Sequence, residues 1–411
     1  MSESQVVLSF PGKEFSSQLA HSQAPAQFIE KSSQESLGHE ETLKHNMLIR
    51  SDNIVALKTL QVLGCQFNFI YIDPPYNSKS KFTFNDNHKS QNNWLSMMLP
   101  RLLLAQKILA EDGIFFISID DREVASLTIL LREIFGEENH IGTLKWRKKR
   151  KPSFLDKHFS SVIEYVLIFA KSKKNLAKLR GAQAQDKTRP VLNASNGVAC
   201  RILQAGTKAF CKDGIYKAGV YKNRTLDFEL LNDMVVENSV LTKSVQLRGR
   251  FRVNQEILDK TVFVTKNFGL RRIVLPSEQT FKHATDDATI DFETNEDAET
   301  QLKNLFAGEK VFEFPKPVGF IKNLIRMYTS QKDKILCLDF FAGTATLAQA
   351  VYELNHEIST NKYSFCCVQS EEEIVVQSQF KTIADIAQAR IELLEEKYKI
   401  FPKCRIYSPK L

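Results

Sequence analysis

The chain has 411 residues and a formal net charge of +8, from 56 Lys and Arg against 48 Asp and Glu. Its 43% hydrophobic and 25% charged content is ordinary for a globular protein and excludes wholesale disorder or a collagen-like fibre. No apolar run approaches the ~18 residues of a membrane span, and the N-terminus lacks the pattern of a secretory signal. Seven cysteines without a CxxC pair argue against a disulfide scaffold and a metal site. These features predict a cytoplasmic protein of two or three domains.

The N-terminal part of the sequence differs in composition from the rest of the chain. Residues 1–45 are rich in Ser, Gln and Glu with little periodicity, which predicts a polar, mobile tail. Over residues 46–175, apolar runs alternate with segments of helical spacing, which is typical of a mostly parallel α/β sheet. The predicted strands are 47–50, 67–72, 113–119 and 161–170, and the predicted helices are 53–63, 94–109 and one that ends at 135.

The middle of the chain is less regular than its two flanks. Residues 176–310 contain mixed polar segments and an acidic stretch, whereas 311–411 return to α/β patterning. In this last part, helices are predicted at 320–328, 346–354 and 382–397, and strands at 335–338 and 365–368. The sequence therefore predicts two α/β halves on either side of an insert.

Most of the positive charge lies in one segment. The stretch from Lys145 to Arg189 has 14 Lys and Arg against 3 Asp and Glu, a local net charge of +11, so the rest of the chain totals −3. Its densest part comprises Lys145, Trp146, Arg147, Lys148, Lys149 and Arg150. Such a run is typical of phosphate binding, and an aromatic side chain among cations can stack on a base. On charge alone, a solvated surface segment is an equal alternative.

The motif Asp73-Pro74-Pro75-Tyr76 ends a predicted buried strand, where ligands gather in open α/β sheets. The exocyclic amino group of a base is a poor nucleophile because its lone pair is delocalised into the ring. The Asp73 carboxylate and the Pro74 carbonyl can accept hydrogen bonds from that group and draw the lone pair back to nitrogen. Tyr76 offers a ring on which an extruded base can stack. The alternative is a turn that only ends the strand.

A second motif runs from Asp339 to Thr346 and joins a predicted strand to a predicted helix. A nucleotide-like cofactor binds at such a junction, because the helix N-terminus attracts an anionic group. With Gly343 as its one glycine, the motif matches the glycine-rich pattern weakly, and a structural turn is an equal alternative.

Together these motifs resemble the β-class amino-methyltransferases of DNA, most closely the modification (Mod) subunits of type III restriction-modification systems. The resemblance covers roughly residues 46–175 and 311–411. It rests on ordered blocks at 51–53, 56–58, 69–77, 94–98, 100–102, 118–121, 135–139, 314–317, 339–346 and 383–387. The resemblance implies a Rossmann-like α/β methyltransferase fold that depends on S-adenosylmethionine. Its order is permuted: the catalytic half is 46–175, the target-recognition insert is 176–310 and the cofactor-binding half is 311–411.

The resemblance also implies roles for individual residues. Asp73, Pro74, Pro75 and Tyr76 match the catalytic motif. Asp52 matches an acid near the adenine of the cofactor, Lys316 and Pro317 match a block beside its methionine end, and Asp339, Phe341 and Gly343 match the cofactor loop. Glu371 and Glu372 are both candidates for the ribose, with Glu372 favoured. Where the family usually has a second glycine and a second threonine, this chain has Ala345 and Leu347.

The implied activity is methyl transfer from S-adenosylmethionine to N6 of adenine in double-stranded DNA, within a restriction-modification system. The alternatives are methylation of cytosine N4, for which Ser is more usual than Asp73, and a non-catalytic DNA-binding subunit that retains the fold. The expected partners are double-stranded DNA, a separate restriction subunit and a second copy of the chain, with no membrane and no metal. The recognition sequence is not predicted.

Overall fold

The computed structural model describes residues 6–22, 24–78, 86, 88, 90–152, 159–183, 188–222, 226–275, 281–289, 292–328, 332–374 and 379–410. The chain forms two compact units, of which the larger comprises residues 1–180 and 283–411 and the smaller comprises 181–282. Within the described ranges, no helix is both long and apolar enough to cross a membrane.

The larger unit is built on a ten-stranded sheet. Its strands are β1 (Phe28–Glu30), β2 (Met47–Arg50), β3 (Phe67–Ile72), β4 (Leu109–Ile119), β5 (His140–Arg147), β6 (Ile163–Ala170), β19 (Asp287–Ala288), β20 (Ile335–Asp339), β21 (Tyr363–Gln369) and β22 (Arg405–Pro409). Their order is β1-β22-β2-β21-β20-β3-β4-β6-β5-β19. The strands from β22 to β4 are parallel, whereas β1 and β6 are antiparallel to their neighbours. The predicted mostly parallel α/β sheet is confirmed.

Helices cover both faces of this sheet. They are α1 (Lys13–Ser22), α2 (His39–Lys44), α3 (Asn53–Val62), α4 (Gln91–Ile108), α5 (Val124–Phe135), α7 (Asn295–Leu305), α8 (Val318–Met327), α9 (Thr346–Ile358) and α10 (Ile383–Tyr398), with a 3₁₀ turn at Glu137–Asn139. Successive residues of β3 alternate between two hydrophobic clusters: Ile70 packs with α3, α4 and α5, and Tyr71 packs with α8 and α9. Because both faces are buried, β3 is apolar at almost every position.

The prediction of a mobile tail over residues 1–45 is wrong for the part that the structure describes. Helix α1 packs against α4, and β1 extends the sheet by pairing with β22. Phe10, Ala20 and Phe28 are buried in the same cluster as α4. The polar composition hid this arrangement, because only a few apolar side chains per element are needed to cover a sheet edge.

The smaller unit is mostly β-structure with its own core, in which Leu230, Val236 and Leu247 are buried. It contains β8 (Thr188–Pro190), β9 (Ala199–Leu203), β10 (Gly214–Tyr216), β11 (Gly219–Tyr221), β12 (Phe228–Leu230), β13 (Met234–Glu237), β14 (Val240–Leu241), β15 (Val245–Gly249), α6 (Gln255–Thr261), β16 (Val262–Val264) and β17 (Leu270–Ile273). Strands β7 (Arg180–Gln183) and β18 (Phe281–His283) form a further two-stranded sheet.

The compact unit 181–282 is shorter than the predicted insert 176–310. Residues 283–310 belong to the larger unit, since β19 pairs in parallel with β5 and Leu302 of α7 packs against Ile386 of α10. The described residues of the acidic stretch, 286–289 and 292–299, therefore contribute to β19 and α7. A capping box formed by Thr294 and Asp297 starts α7, so some of these acids serve local hydrogen bonding.

Candidate active site

The carboxyl ends of five parallel strands, β2, β3, β4, β20 and β21, open into one cleft of about 750 Å³. This is where ligands bind in open α/β sheets. All of its lining residues belong to the larger unit. They include Asp52, Asp73, Pro74, Pro75, Tyr76, Asp120, Lys148, Lys149, Glu164, Lys316, Asp339, Phe341, Gly343, Glu371 and Glu372.

The Asp73 turn is held from several sides. The Trp94 indole donates to the Pro75 carbonyl (2.6 Å), and the Asn77 backbone N–H donates to Asp86 (2.8 Å). Asn77 has a φ of 58°, in the left-handed region, which turns the chain out of the strand direction. Pro74 is buried beside Asp73 in the wall of the cleft. The Asp-Pro-Pro-Tyr motif therefore sits on a turn that is held by hydrogen bonds to neighbouring elements.

A buried charged cluster surrounds Asp73. The Lys316 ammonium, whose side chain is 8% exposed, donates to Asp73 Oδ1 (2.9 Å) and to the Tyr76 hydroxyl (2.9 Å), and it lies 3.2 Å from Glu164 Oε2. Lys148 pairs with the other oxygen of Glu164 at 3.3 Å. The Tyr76 hydroxyl also lies 2.7 Å from Asp73 Oδ1. Two carboxylates and two ammonium groups thus balance one another in a site that is largely shielded from water.

Burial and neighbouring charges shift the pKa values of the groups in this cluster. Burial raises the pKa of the Asp73 carboxyl, Lys316 acts against that rise, and the Glu164 charge adds to it. For Glu164, burial is the largest influence and is outweighed by Lys316 and Lys148, so its pKa is lowered. Burial would lower the pKa of Lys316, but the two carboxylates raise it. The charged forms of Glu164 and Lys316 are therefore favoured, and Asp73 is the more easily protonated of the two carboxylates.

The cofactor loop follows β20 directly. Asp339 is 3% exposed, and one of its oxygens accepts from the Phe341 backbone N–H (3.0 Å). Burial raises the pKa of Asp339 well above its usual range; the Phe341 hydrogen bond opposes this and the Asp73 charge adds to it. Gly343 has a φ of 53°, and a Cβ built there would meet nothing within 4 Å. The loop thus presents a buried carboxylate and open space beside a glycine.

A buried arginine of α10 forms hydrogen bonds with this loop. Arg390 of α10 is 1% exposed and donates to the Thr344 carbonyl (3.1 Å), the Thr344 hydroxyl (2.9 Å) and the Thr346 hydroxyl (3.0 Å). Its remaining hydrogen bond goes to Gln349 (2.9 Å). Burial lowers the pKa of Arg390 to about 10, so the guanidinium stays charged at neutral pH.

The two departures from the usual loop sequence have separate consequences. Ala345 adopts φ 59° and ψ 47°, a left-handed conformation that favours glycine and costs alanine about 1 kcal/mol. Leu347 is fully buried among the apolar side chains of α9 and the sheet, and it does not line the cleft. The chain therefore keeps the shape of the loop, and Leu347 replaces a polar side chain by core packing.

The other predicted cofactor residues lie at the same end of the sheet. Asp52 caps α3 by accepting from the Ile54 N–H (2.8 Å) and pairs with Arg101 (3.3 Å). Both oxygens of Glu371 accept from Arg50 (2.7 Å each), and both Glu371 and Glu372 line the cleft. Pro317 is the N-cap residue of α8 and is buried outside the cleft lining.

The part of the basic segment that lies in β5 alternates between buried and exposed side chains. Trp146 is fully buried, donates its indole N–H to the Glu293 carbonyl (2.9 Å) and packs on Phe320. The prediction that Trp146 stacks on a base is therefore wrong: alternate residues of β5 face opposite sides, so Lys145 and Arg147 are exposed where Trp146 is buried.

The lysines and arginines of this segment have different partners. Lys145 pairs with Asp286 (2.8 Å), Arg150 pairs with Asp297, and Lys148 turns into the cleft toward Glu164. Arg147 is exposed, and Lys149 lines the cleft. The acidic stretch thus compensates part of the basic run locally.

Two important residues were missed from sequence. Glu164 is the one acidic residue in an otherwise apolar strand, and Arg390 lies between the buried residues Ile386 and Leu394 of a helix. A charged side chain at a core position is the signal that would have identified both, since such groups are buried only with partners.

This sheet, with an Asp-Pro-Pro-Tyr turn and a strand-to-helix cofactor loop in one cleft, defines an α/β amino-methyltransferase. The family model described as DNA methylase matches residues 67–380, and the chain belongs to that family. The Asp-Pro-Pro-Tyr motif follows β3, and the loop from Asp339 to Thr346 follows β20, later in the chain.

Curated relatives cover most of the chain. The EcoPI Mod subunit of a type III restriction-modification enzyme, from Escherichia phage P1, is 28% identical over 97% of this chain and 69% of its own length. The StyLTI Mod subunit of Salmonella typhimurium is 27% identical over 86% of this chain, which spans 58% of that protein. The type II methyltransferase M.KpnI of Klebsiella pneumoniae is 29% identical, over 85% of this chain and 88% of its own.

Solved structures resemble the chain more distantly. The M1.HpyAVI–SAM complex has a TM-score of 0.37 at 11% identity, covering 84% of this chain and 98% of that one. The cytosine-N4-specific PvuII DNA methyltransferase has a TM-score of 0.40 at 12% identity, covering 85% and 93%. Likenesses of this size add nothing to the family assignment.

Proposed function

We propose that this DNA methylase transfers a methyl group from S-adenosylmethionine to N6 of adenine in double-stranded DNA. The observation that carries the proposal is the Asp73 turn, which holds a partly buried carboxylate and the adjoining Pro74 in the same cleft as the predicted cofactor loop. The Mod subunits among the relatives support a role in a restriction-modification system.

The residues of the cleft fit S-adenosylmethionine. Burial removes water from the Asp339 carboxyl and raises its pKa, so a nearby cation would stabilise the carboxylate and lower that pKa. S-adenosylmethionine carries two cationic groups, an ammonium and a sulfonium. The Phe341 ring lines the cleft and can face a sulfonium, and Gly343 leaves room for close approach. Asp52 and Glu372 would hold the adenosine end, and Lys316 would contact the methionine end. When bound, the cofactor supplies the methyl group.

The protein's contribution to the reaction is positioning and a low-dielectric site. The Asp73 carboxylate and the Pro74 carbonyl accept hydrogen bonds from the amino group of the base and localise its lone pair on nitrogen. Tyr76 presents its ring to the extruded base, while its hydroxyl is held by Asp73 and Lys316. Because both reactants are held in one cleft, methyl transfer becomes effectively a unimolecular step.

The wider assembly is also part of the proposal. Residues 181–282, a compact unit inserted between the two motifs, would read the target sequence, and the basic segment beside the cleft would contact phosphates. We propose a separate restriction subunit and a second copy of the chain as partners, in the cytoplasm.

The test is single-molecule sequencing of DNA from cells that express the wild type, Asp73→Ala or the control Glu133→Gln. Glu133 pairs with Lys13 away from the cleft. A modified adenine within one short motif is expected for the wild type and the control, and no mark for Asp73→Ala. Calorimetry should show that Asp73→Ala still binds S-adenosylmethionine.

The alternatives predict other results. A mark on cytosine would assign the activity to N4, which the Asp at position 73 disfavours. No mark from the wild type, together with no binding of S-adenosylmethionine at millimolar concentration, would leave a DNA-binding subunit without catalysis.

A further inference from the structure

The position of Lys316 raises a question about how the target amino group reaches Asp73. Its ammonium has three N–H donors, and among the described residues it lies within hydrogen-bonding distance of Asp73 Oδ1, the Tyr76 hydroxyl and Glu164 Oε2. The ammonium also lies over the Tyr76 ring, 5.0 Å from its centroid. Lys316 therefore occupies an acceptor position on Asp73 and contacts the side chain proposed to stack on the base.

A strong pair between Lys316 and Asp73 would oppose the proposed chemistry. An ammonium on the carboxylate lowers its basicity, so the carboxylate becomes a weaker acceptor for the neutral amino group. Removing an ammonium from a buried carboxylate without a second partner is costly. A second carboxylate within reach of Lys316 solves this problem, because the ammonium can leave Asp73 without losing its ion pair.

Glu164 is such a carboxylate. It lies in β6, where it is paired with Trp146 of β5 and follows directly on the Tyr165 pair with Ile119 of β4, so its backbone belongs to the sheet. Oε2 is already 3.2 Å from Lys316, and Oε1 pairs with Lys148. The lowered pKa of Glu164 keeps it ionised when Asp73 is not paired.

We propose that Lys316 holds the acceptor site of Asp73 while no base is present and passes to Glu164 when the target amino group arrives. Glu164 is then a positioning residue for methyl transfer, acting through Lys316. This inference rests on the proposed function. It explains why a strand that is otherwise apolar carries a buried glutamate beside the catalytic turn.

The pH dependence of this device involves every charged group around it. Asp73, Glu164, Lys148, Lys316, Tyr71, Tyr76, Asp120 and Asp339 face or influence the cluster. The Glu164 charge raises the pKa of Asp73, so its removal lowers that pKa. Without Glu164, Lys316 is left with Asp73 as its carboxylate partner in the cluster, which lowers the Asp73 pKa further and weakens it as an acceptor.

The experiment compares the wild type, Glu164→Gln, Glu164→Asp and the control Glu133→Gln by single-turnover methyl transfer to target DNA across pH, using radiolabelled S-adenosylmethionine. We expect Glu164→Gln to transfer at least about tenfold more slowly, with cofactor affinity within about threefold of the wild type. Its acidic limb should move to lower pH. Glu164→Asp, which keeps the charge on a shorter side chain, should give an intermediate rate.

The outcomes separate the two claims. If the wild type transfers no methyl group to DNA, the proposed function fails. If the wild type is active and Glu164→Gln keeps its rate, or loses rate without moving the acidic limb, Glu164 has no positioning role through Lys316. If Glu164→Gln does not fold, the test rests on Glu164→Asp. A wild-type rate of methyl transfer in Glu164→Asp overturns the inference, and a rate below that of the wild type supports it.

Discussion

At the scale of a single residue, the buried carboxyl of Asp339 reduces the stability of the cofactor-free protein at neutral pH. Its carboxyl is 3% exposed, and burial raises its pKa well above the usual range. A raised pKa means that the folded protein binds this proton more tightly than the unfolded chain does. The stability linked to this group is therefore present at low pH and is lost as the pH rises from the unfolded pKa through the folded one.

From this we predict that Asp339→Asn stabilises the cofactor-free protein and weakens cofactor binding. The amide keeps an oxygen for the Phe341 N–H but carries no charge to desolvate. We expect the free energy of unfolding to rise by about 1–2 kcal/mol at neutral pH, with little difference from the wild type near pH 4. Denaturant titrations at the two pH values measure the first effect, and calorimetry with S-adenosylmethionine measures the second. Equal stability of the two proteins at neutral pH would contradict this account.

At the level of elements, the cofactor loop depends on a helix that follows it by more than thirty residues. The loop contains a left-handed Ala345, which does not favour this conformation intrinsically. Nη1 of Arg390, in α10, lies within hydrogen-bonding distance of three oxygen atoms of Thr344 and Thr346, on either side of that residue. The loop is thus shaped by a tertiary contact as much as by its own sequence.

We therefore predict that Arg390→Met weakens S-adenosylmethionine binding by about tenfold or more, equivalent to about 1.4 kcal/mol. Arg390→Lys keeps the charge but not the planar fork and should recover only part of the affinity. The exposed Arg326, which pairs with Glu357, provides the control Arg326→Met, for which no change is expected. Calorimetry on samples with matched circular dichroism tests the prediction. It fails if Arg390→Met binds the cofactor as tightly as the wild type.

Over the whole molecule, the net charge is +8, and the basic residues of the segment 145–150 fall into two groups. Some are paired with acidic residues, and others are exposed or line the cleft. The run from Lys145 to Arg150 is basic, yet Lys145 and Arg150 are paired with Asp286 and Asp297 from the acidic stretch. Surface pairs of this kind contribute little to stability, so their main effect is on the local potential. Arg147 and Lys149 are therefore the better candidates for phosphate contacts.

We predict that Arg147→Gln with Lys149→Gln weakens DNA binding and reduces the slope of log K against log salt by about two. Asp286→Asn with Asp297→Asn should act in the opposite direction at low salt, because it releases Lys145 and Arg150 to the DNA. Fluorescence anisotropy with labelled duplex DNA at several salt concentrations distinguishes the two pairs. An unchanged salt slope in the first double variant would exclude a phosphate role for this segment.

The sequence by itself determined the α/β class and the strands that carry both motifs, because apolar periodicity and proline act locally. The permuted order of the two halves was implied by the resemblance to the methyltransferase family. The sequence also indicated Asp73, Tyr76, Asp339 and Gly343, whose neighbours in the chain define their motifs. It did not show that the polar N-terminal segment covers a sheet edge, because burial there depends on elements far along the chain.

Only the tertiary structure decided which charges meet. Glu164, Lys148 and Lys316 converge on Asp73 from separate strands and loops, whereas Trp146 is turned into the core beside them. The ionisation of such groups depends on burial and on neighbours that are distant in sequence. For this reason the local motifs could be predicted from the sequence, while the electrostatics that make them a site came from the fold.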